Sequence, residues 1–589
     1  MADGSDRVRE AFNNGEDVEP ISSGNAPPPQ EQDDEQLHRK CAQLPLNDFG
    51  NGQRFSGYFG KDVMFVPRVS WFCWSGKQWR KDQDVLLVRG LAQKVAKEIL
   101  AESEFTDLED WEKEKIEHEA MLKIRHEALD HLKKDRTPEQ DKELLELATE
   151  LVWVDRIKQR KYKLKSDHRS HAKASGNSAK IDNMMKESTV KQSRNLDDLD
   201  ADPLVLNVNN GILIFTVDRA AQRARRDGGC TAMNGTVEVT FVPHDRSLML
   251  SKMMPVDYDP DAVCPQYQTF IGRILPDVEV SNFMQRWYGL SMTGLIGEQK
   301  LVYQYGDGSN GKSVLVDLIA NMMGEYAATA AIESLTGTQK RSGGEATPDL
   351  IPLIGARMVR ASEPEEGERL REAEIKKMTG GEPIQMRANY GDTIEVLPKF
   401  KLTISGNHKL EIRGTDNGIW RRILLVKFGV IIPKDERDED LPKKLWAERS
   451  GVLNWLIEGL VSYLENGLRE PEAVLNETKA YREESDPVGA FFAACCEFDA
   501  DAPFLKSAEL MKAFRLWQEQ EGQTPWQPGT ITARISKRAG KYRDPDTGLQ
   551  YHKHKSNVSG YLGIRLTSTH SIALDEYEMK HSKKYKNGE

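Results

Sequence analysis

The segment GDGSNGKS carries the residues best suited to chemistry. Gly306, Gly311, Lys312 and Ser313 fill the spacing G-x-x-x-x-G-K-S of a phosphate-binding loop. Glycines let backbone N–H groups close on phosphate oxygens, the lysine reaches the β- and γ-phosphates, and the serine hydroxyl ligates Mg²⁺. We therefore predict ATP and Mg²⁺ as cofactors. The predicted nucleotide contacts are Gly306, Asp307, Gly308, Ser309, Asn310, Gly311, Lys312, Ser313 and Val314.

The sequence on either side of this loop predicts the elements that must hold it. The apolar run LVYQY precedes the loop and is typical of a strand, whereas SVLVDLIANMMG follows it with helical periodicity. A phosphate in the loop would then lie at a helix N-terminus. The alternative, a chance Gly/Ser turn, does not account for strand, loop and helix in this order.

Acidic residues follow the next predicted strand, Met358 to Ala361. Glu363, Glu365 and Glu366 come directly after it. A carboxylate at a strand end opposite the loop can hold the Mg²⁺ shell and polarise the attacking water. Glu363 is the first candidate for this role and Glu365 the second, with Ser313 and Glu363 as the predicted metal site. A solvated acidic loop is the alternative, chiefly for Glu366.

A polar residue and two arginines complete the candidate catalytic set. The strand FKLTISGN ends in Asn407, which could orient water against the γ-phosphate. Arg421 and Arg422 follow in GIWRRILLVKF, and an arginine supplied by a neighbouring subunit would stabilise the charge that develops on the phosphate. The sequence does not separate the two arginines, and a surface ion pair suits whichever is not catalytic.

A hairpin is predicted between the acidic strand and Asn407. Residues Ile384–Arg387 and Thr393–Val396 alternate in polarity, and ANYGD between them has turn chemistry. A tip carrying Arg387, Asn389 and Tyr390 could project into the pore of a ring and follow a DNA backbone. A purely structural hairpin is the alternative.

Composition and charge indicate a multidomain protein with an uneven charge distribution. The 589 residues are 30 % charged and 38 % hydrophobic, without an apolar stretch of membrane-spanning length or an apolar signal core at the N-terminus, so we expect a cytoplasmic protein. The six cysteines form neither a C-x-x-C pair nor a Cys/His cluster, which argues against zinc and disulfides. The net charge is −11, but residues 1–50 carry −7 and residues 534–589 carry +6.

Four regions are predicted along the chain. Residues 1–50 are acidic, contain prolines and are expected to be disordered, and residues 51–300 open with a short β-hairpin unit and continue with charged helices. Residues 301–468 form the ATPase, and residues 469–589 are compatible with a winged helix followed by a basic tail. The basic C-terminus, including ARISKRAGKYR with Lys537 and Arg538 and the segment YHKHK, could bind DNA phosphates, or it could be a solvated face.

Three tryptophans in the β-hairpin unit admit two interpretations. Trp71, Trp74 and Trp79 are predicted to lie in the hydrophobic core, with base stacking as the alternative.

The order of motifs resembles a known family of replication enzymes. GDGSNGKS, ASEPEEG, IKKMTGGEPIQMR, LTISGNHK and RGTDNGIWRRI are similar to superfamily 3 helicases, and more narrowly to the phage and plasmid primase-helicase branch related to the poxvirus primase-helicase. LLVRGLAQKV, LNVNNGILIF and GLSMTGLIGEQK resemble that branch's N-terminal helicase-associated domain. The resemblance covers roughly residues 55 to 567, and the ATPase motifs are its most specific part.

The resemblance implies an α/β fold: an AAA+ P-loop ATPase core, an α+β N-terminal helicase-associated domain and a C-terminal winged-helix domain. It implies a homo-hexameric ring around DNA, with Lys312 and Ser313 in the phosphate loop and Glu363 at the acidic strand end. Asn407 is then sensor-like, and Arg422 is the favoured arginine finger. The function expected is an ATP-dependent DNA helicase of a replicating phage, plasmid or integrated element.

One departure from the family concerns primer synthesis. The acidic N-terminal extension is too short for the primase domain of many relatives, so we expect no primer synthesis by this chain and a separate primase as a possible partner. An origin-binding and melting initiator, the helicase half of a primase-helicase, and an RNA-directed or packaging motor remain alternatives.

Overall fold

The computed structural model describes residues 31–218, 237–337, 346–387, 392–412, 414, 417–523 and 525–586. These residues form two compact units, one comprising residues up to 218 together with 238–258 and the other the residues from 259 onwards. None of the described helices combines the length and the apolar character needed to cross a lipid bilayer.

The first unit is mainly helical, with two small sheets. Its helices are α1 (Glu31–Ala42), α2 (Asp48–Phe59), α3 (Leu86–Glu102), α4 (Asp110–Glu117), α5 (Glu119–His131), α6 (Pro138–Ser175) and α7 (Ser178–Gln192). Its strands are β1 (Val63–Val66), β2 (Ser70–Trp74), β3 (Trp79–Lys81), β4 (Val205–Val208), β5 (Gly211–Val217) and β6 (Val237–Val242). The sheets have the orders β1-β2-β3 and β4-β5-β6.

Helical spacing of apolar residues explains how the first unit packs. Val88, Ala92, Val95 and Ile99 recur every three or four residues along α3, and all four are fully buried. They join a core that includes Phe55, Trp71 and Met184. The predicted charged helices and the predicted hairpin, in which β1 pairs antiparallel with β2, are therefore confirmed.

The three tryptophans lie at or near the hydrophobic core of the first unit. Trp71 and Trp79 are both buried, and Trp74 is half-buried with its ring 5.6 Å from that of Trp79. The core interpretation is confirmed for the two buried residues.

The prediction of disorder for residues 1–50 is wrong from residue 31 onwards. Helices α1 and α2 occupy most of this stretch. The reason is the buried Arg54, whose guanidinium donates hydrogen bonds to the carbonyl oxygens of Cys41, Leu44 and Pro45 at 2.8–3.0 Å. These contacts fix the segment between the two helices, and an acidic composition gives no indication of them.

The second unit is built on a parallel sheet. Its helices up to residue 466 are α8 (Pro265–Ile274), α9 (Val278–Ser291), α10 (Lys312–Met323), α11 (Ile332–Leu335), α12 (Glu372–Gly380), α13 (Asn417–Trp420), α14 (Leu441–Ala447) and α15 (Arg449–Asn466). Its strands in this part are β7 (Leu301–Tyr305), β8 (Ala327–Thr329), β9 (Met358–Ser362), β10 (Ile384–Arg387), β11 (Thr393–Val396), β12 (Lys401–Gly406) and β13 (Ile423–Lys427).

Five of these strands form one sheet in the order β13-β7-β12-β9-β8, and every pair is parallel. Strands β7 and β12 are buried along almost their whole length, as expected for strands covered on both faces. Strands β10 and β11 form the predicted antiparallel hairpin. The strand–loop–helix order around GDGSNGKS is confirmed by β7 and α10.

The division predicted at residue 300 differs from the observed one. Helix α9 packs along α15 in the second unit, and the two backbones touch at glycines. A Cβ on Gly289 would lie 2.3 Å from the backbone nitrogen of Leu460, and one on Gly459 would lie 2.2 Å from the carbonyl oxygen of Gln285. Residues 259–300 therefore belong with the parallel sheet.

The C-terminal part of the second unit combines helices with short strands. The helices are α16 (Glu472–Glu484), α17 (Pro487–Cys495), α18 (Ser507–Gln520), α19 (Pro528–Arg538) and α20 (Ser568–Lys586). The strands are β14 (Cys496–Glu497), β15 (Leu505–Lys506), β16 (His552–Lys555), β17 (Ser559–Leu562) and β18 (Arg565–Leu566). An aromatic core that includes Phe491, Phe514 and Tyr551 joins the elements from α17 onwards. The winged-helix assignment stays a prediction.

Candidate functional site

The register of the parallel sheet gathers the predicted catalytic residues at one edge. Tyr305 of β7 pairs with Gly406 of β12, and Ser405 pairs with Ser362 of β9. The loop begins after Tyr305, Asn407 follows Gly406, and Glu363 follows Ser362. The carboxyl ends of parallel strands are where α/β proteins bind ligands.

Two residues hold the phosphate loop in shape. Gly311 has a φ of +77°, and a Cβ there would lie 2.6 Å from Cγ2 of Ile274, so only glycine fits without displacing α8. The buried Asn310 accepts a hydrogen bond from the backbone N–H of Lys312 at 3.2 Å and donates to the carbonyl of Phe428 at 3.2 Å. Asn310 was predicted only as a nucleotide contact, and its bracing role depends on the distant Phe428.

Lys312 lies at the centre of the site. Its ammonium donates to the carbonyl oxygens of Gly306 at 3.0 Å and Gly406 at 2.7 Å, and to Oδ1 of Asn407 at 3.0 Å. The residue is only 5 % exposed. Burial lowers the pKa of Lys312, and the nearby negative charges of Asp307 and Glu363 oppose that shift. The structure thus brings Lys312 and Asn407 together, as the motif order predicted.

The acidic candidates separate by position. Glu363 is exposed at the end of β9, its backbone N–H donates to the carbonyl of Ser405 at 2.9 Å, and its charge acts on Lys312. Its φ of +59° is uncommon for a residue with a side chain. Glu365 is also exposed, and its backbone N–H bonds Oε2 of Glu368 at 3.2 Å. This geometry favours Glu363 over Glu365.

The two arginines are held in different ways. Arg422 is 8 % exposed, and its Nε donates to Oγ1 of Thr379 at 3.1 Å within the same chain. Arg421 is exposed and donates to Oε1 of Gln299 at 3.0 Å. The guanidinium of Arg422 is therefore enclosed by its own chain, whereas that of Arg421 faces outward, and the choice of finger stays a prediction.

The predicted DNA-binding residues are not gathered at one place. Arg387 is exposed at the end of β10, with its backbone bonded to Thr347, while Asn389 and Tyr390 lie outside the described residues. Lys537 is exposed, but Arg538 forms an ion pair with Asp486 at 2.6 Å.

The predicted basic segment HKHK forms an edge strand, whereas the sequence interpretation missed one lysine near the site. All four residues of β16, which has the sequence HKHK, are exposed, and β16 is one of the two edge strands of the sheet β15-β17-β16. Lys409, two residues after Asn407, lies 2.6 Å from a carboxylate oxygen of Glu484 and 5.3 Å from the ring centre of Tyr305. A cation so close to the sensor-like residue in GNHK was the available signal.

Two family models match parts of the chain. One, described as "D5 N terminal like", matches residues 52–276, and the other, a family of unknown function (DUF5906), matches residues 304–422. The second match begins at the strand before the phosphate loop and ends at Arg422.

Among known proteins, the chain is similar to several viral proteins. "Putative helicase L207/L206" of Acanthamoeba polyphaga mimivirus is 28 % identical over 252 residues, which are 40 % of this chain and 26 % of that protein. "Putative helicase 022R" of Frog virus 3 (isolate Goorha) is 28 % identical over 267 residues, 42 % of this chain and 27 % of that protein. "Putative helicase V13" of Sputnik virophage is 27 % identical over 195 residues, 31 % of this chain and 25 % of that protein.

A solved structure also shows a weak likeness. The apo structure of the NrS-1 C-terminal region aligns with 56 % of this chain and 92 % of its own, at 10 % identity and a TM-score of 0.33, which is too low to carry an argument. The chain spans about a quarter of the length of each viral relative. The chain is a mixed α/β protein with a parallel sheet, and it is similar in sequence to viral proteins that are named as helicases.

Proposed function

We propose that this protein is an ATP-driven DNA helicase of the superfamily 3 type that serves the replication of a mobile element such as a phage or plasmid. The observation that carries the proposal is the buried Lys312, whose ammonium lies 3.0 Å from Oδ1 of Asn407 at the carboxyl edge of a parallel sheet. Two residues from distant motifs thereby converge where a γ-phosphate would lie. The helicase names of the viral relatives support the same conclusion.

The loop residues suit a nucleotide triphosphate and Mg²⁺. Gly311 and Asn310 keep the loop open around the N-terminus of α10, where backbone N–H groups attract anions. Ser313 follows Lys312 on the exposed side and would contribute a hydroxyl to Mg²⁺, which neutralises charge on the phosphates when bound. Glu363 would polarise the attacking water, Asn407 would orient it, and Lys312 would exchange its carbonyl partners for phosphate oxygens.

We infer that the complete site forms between subunits of a ring, with six copies as in the resembled family. An arginine from the neighbouring copy would stabilise charge on the transferred phosphate. Arg421 suits this role better than Arg422, since its guanidinium is exposed and Arg422 is enclosed by its own chain.

The proposed DNA contacts lie in two places. The β10–β11 hairpin with Arg387 would follow one strand inside the ring, as in the family that the motifs resemble. The C-terminal part, interpreted as a winged helix, would bind duplex phosphates through Lys537 and the basic strand β16, with an affinity that falls steeply with salt. A separate primase is a possible partner.

Strand displacement on a forked duplex tests the proposal. Wild type should hydrolyse ATP in the presence of DNA and unwind the fork, whereas Lys312→Ala should lose at least about a hundredfold in both rates, because the phosphates lose their buried cation. If wild type shows no DNA-stimulated hydrolysis, or the variant unwinds equally well, the proposal is wrong.

The two arginines provide an internal control. Arg421→Ala should abolish ATP hydrolysis without changing thermal stability. In a mixture of Arg421→Ala and Lys312→Ala subunits some hydrolysis should return, because an interface between one subunit of each kind can hold both an intact Lys312 and an intact Arg421. Arg422→Ala should instead lower the thermal midpoint, since it leaves Thr379 and the carbonyl of Gly418 without their donor.

A further inference from the structure

A cavity of about 720 Å³ lies between the segment after Asn407 and the C-terminal part of the second unit. Its walls include Lys409 and Glu411 on one side, Glu484 at the end of α16, and Gln518, Trp526 and Arg534 on the other. The volume is within the range of small-molecule sites. Nothing in the catalytic set described above uses this cavity, which we call the lateral cavity.

The charges in the lateral cavity favour a neutral, polar ligand. Two cations, Lys409 and Arg534, face two anions, Glu411 and Glu484. Lys409 is already paired with Glu484 at 2.6 Å. A phosphate would have to disrupt that pair and would meet two carboxylates, so the site does not suit an anion.

Flat surfaces line the same cavity. The guanidinium of Arg534 lies over the ring of Trp526, 4.2 Å from its centre, and the Trp526 ring rests against Phe514 of the aromatic core at 5.4 Å. A planar cation fixed on an aromatic ring is a stacking platform of the kind that receives nucleobases. On the opposite wall, Tyr481 is held by the hydrogen bond from its hydroxyl to the carbonyl of Leu410.

A buried donor in the cavity wall lacks a partner. Gln518 is fully buried, and its Oε1 accepts from the backbone N–H of Trp526 at 3.0 Å. This leaves its Nε2 without an acceptor among the residues that the structure describes. A buried donor without an acceptor is costly, and the edge of a base carries carbonyl and ring-nitrogen acceptors that could satisfy it.

We propose that the lateral cavity receives a nucleobase, stacked on the Arg534–Trp526 pair and hydrogen-bonded by Gln518. Two sources supply this chemistry, the base of the bound nucleotide and a base of single-stranded nucleic acid. Lys409 connects the cavity to the catalytic edge, because it lies over Tyr305, the last residue before the phosphate loop. The inference deepens the proposed function and rests on it.

Paired probes with and without bases test the inference on the full chain. Binding is measured for ATP against inorganic tripolyphosphate, both with Mg²⁺, and for an oligothymidylate against an abasic strand of equal length. Thr530 is an exposed lining residue on α19, and Thr530→Trp would narrow the cavity with a bulky ring without removing a core side chain. Thr532→Trp is the matched control, on an exposed position of the same helix that does not line the cavity.

We expect Thr530→Trp to weaken one base-containing probe about tenfold while its base-free partner binds as in wild type, and Thr532→Trp to change neither. If only the affinity for ATP falls, the base comes from the nucleotide. If only the affinity for the oligothymidylate falls, the base comes from the single strand. Arg534→Lys keeps the positive charge but loses the planar guanidinium, so it should also weaken the base-containing probe and leave its base-free partner unchanged. Thermal unfolding of each variant verifies its fold.

Two results would overturn the inference. One is a Thr530→Trp variant that binds all four probes like wild type, and the other is equal weakening of base-containing and base-free probes. In both cases the helicase proposal survives, because wild type still binds nucleotide and DNA. If wild type binds none of the four probes, the proposed function and the nucleobase site fail together.

Discussion

Arg54 in the first unit and Lys312 in the second are both buried cations, and they are held in opposite ways. Arg54 is fully buried, and its Nε bonds both oxygens of the equally buried Glu102 at 3.1 and 2.8 Å. Lys312 has two carbonyls and the amide of Asn407 as acceptors, and none of the ion pairs among the described residues includes it.

The difference indicates what each cation is for. The charge of Arg54 is neutralised inside the protein, and its remaining donors fix the segment that carries α1, so its role is structural. The charge of Lys312 is desolvated without a directly bonded carboxylate, an unfavourable state that an incoming anion relieves. This arrangement is what the proposed binding of a phosphate requires.

The largest effect should come from breaking the pair in the first unit. Arg54→Met leaves Glu102 buried without its cation, and we expect the free energy of unfolding of the first unit to fall by about 3–5 kcal/mol. Hydrogen exchange of the amides in α2 and α3 measures this locally.

The control for that experiment replaces both partners. Arg54→Met combined with Glu102→Leu should recover much of the lost stability, since no charge remains buried. If the single variant is as stable as wild type, the pair is not what holds this unit together.

The second prediction concerns Lys312 without and with nucleotide. Lys312→Met should keep its free energy of unfolding within about 1 kcal/mol of wild type, or gain stability, because it removes an uncompensated buried charge. Wild type should be stabilised by about 2.7 kcal/mol when ATP is present at a hundred times its dissociation constant, and the variant should not. Chemical denaturation with and without Mg-ATP measures both. If Lys312→Met is destabilised as strongly as Arg54→Met, the two buried cations do not differ in their contribution to stability, and the prediction is wrong.

The smallest predicted effect is a dependence on pH near Arg54. Burial first, and then the charge of Arg54, lower the pKa of His171 from 6.5 to about 4, so the folded state binds this proton less readily than the unfolded state. His171 therefore contributes full stability above about pH 6.5 and loses it as the pH falls towards 4. The loss at pH 5.5 should be about 1 kcal/mol.

Thermal unfolding of the first unit between pH 7.5 and pH 5 checks this dependence. His171→Gln should flatten it, because glutamine does not titrate and can still donate to Oδ1 of Asn51, which lies 2.8 Å from Nε2 of His171. Some dependence of thermal stability on pH should remain in this variant, since burial also lowers the pKa of His168. Identical slopes for the variant and wild type would contradict the assignment.

Much of the site was predictable because its signals are local. Strand β7, the loop and helix α10 are contiguous, and apolar periodicity with glycine spacing identifies all three. The hairpin of β10 and β11 followed from alternation around a turn. The prediction that Asn407 lies near the γ-phosphate position came from its place at the end of an apolar strand beside the acidic strand.

The features that were wrong or missed depend on distant contacts. The helices within residues 31–50 are tied down by Arg54, which an acidic composition does not reveal. Residues 278–291 join the second unit because Gly289 and Gly459 let two helices touch, although they are 170 residues apart in the chain. The lateral cavity has walls from the segment after Asn407 and from α18 and α19, which no single stretch of sequence contains.

The sequence by itself determined the strand–loop–helix around GDGSNGKS and the set of candidate catalytic residues. Only the tertiary structure showed that Arg421 is exposed and Arg422 enclosed, because neighbouring side chains project in different directions. It also decided which buried cation has a carboxylate partner. Periodicity and spacing are properties of neighbours in the chain, whereas burial and charge compensation depend on residues that meet only after folding.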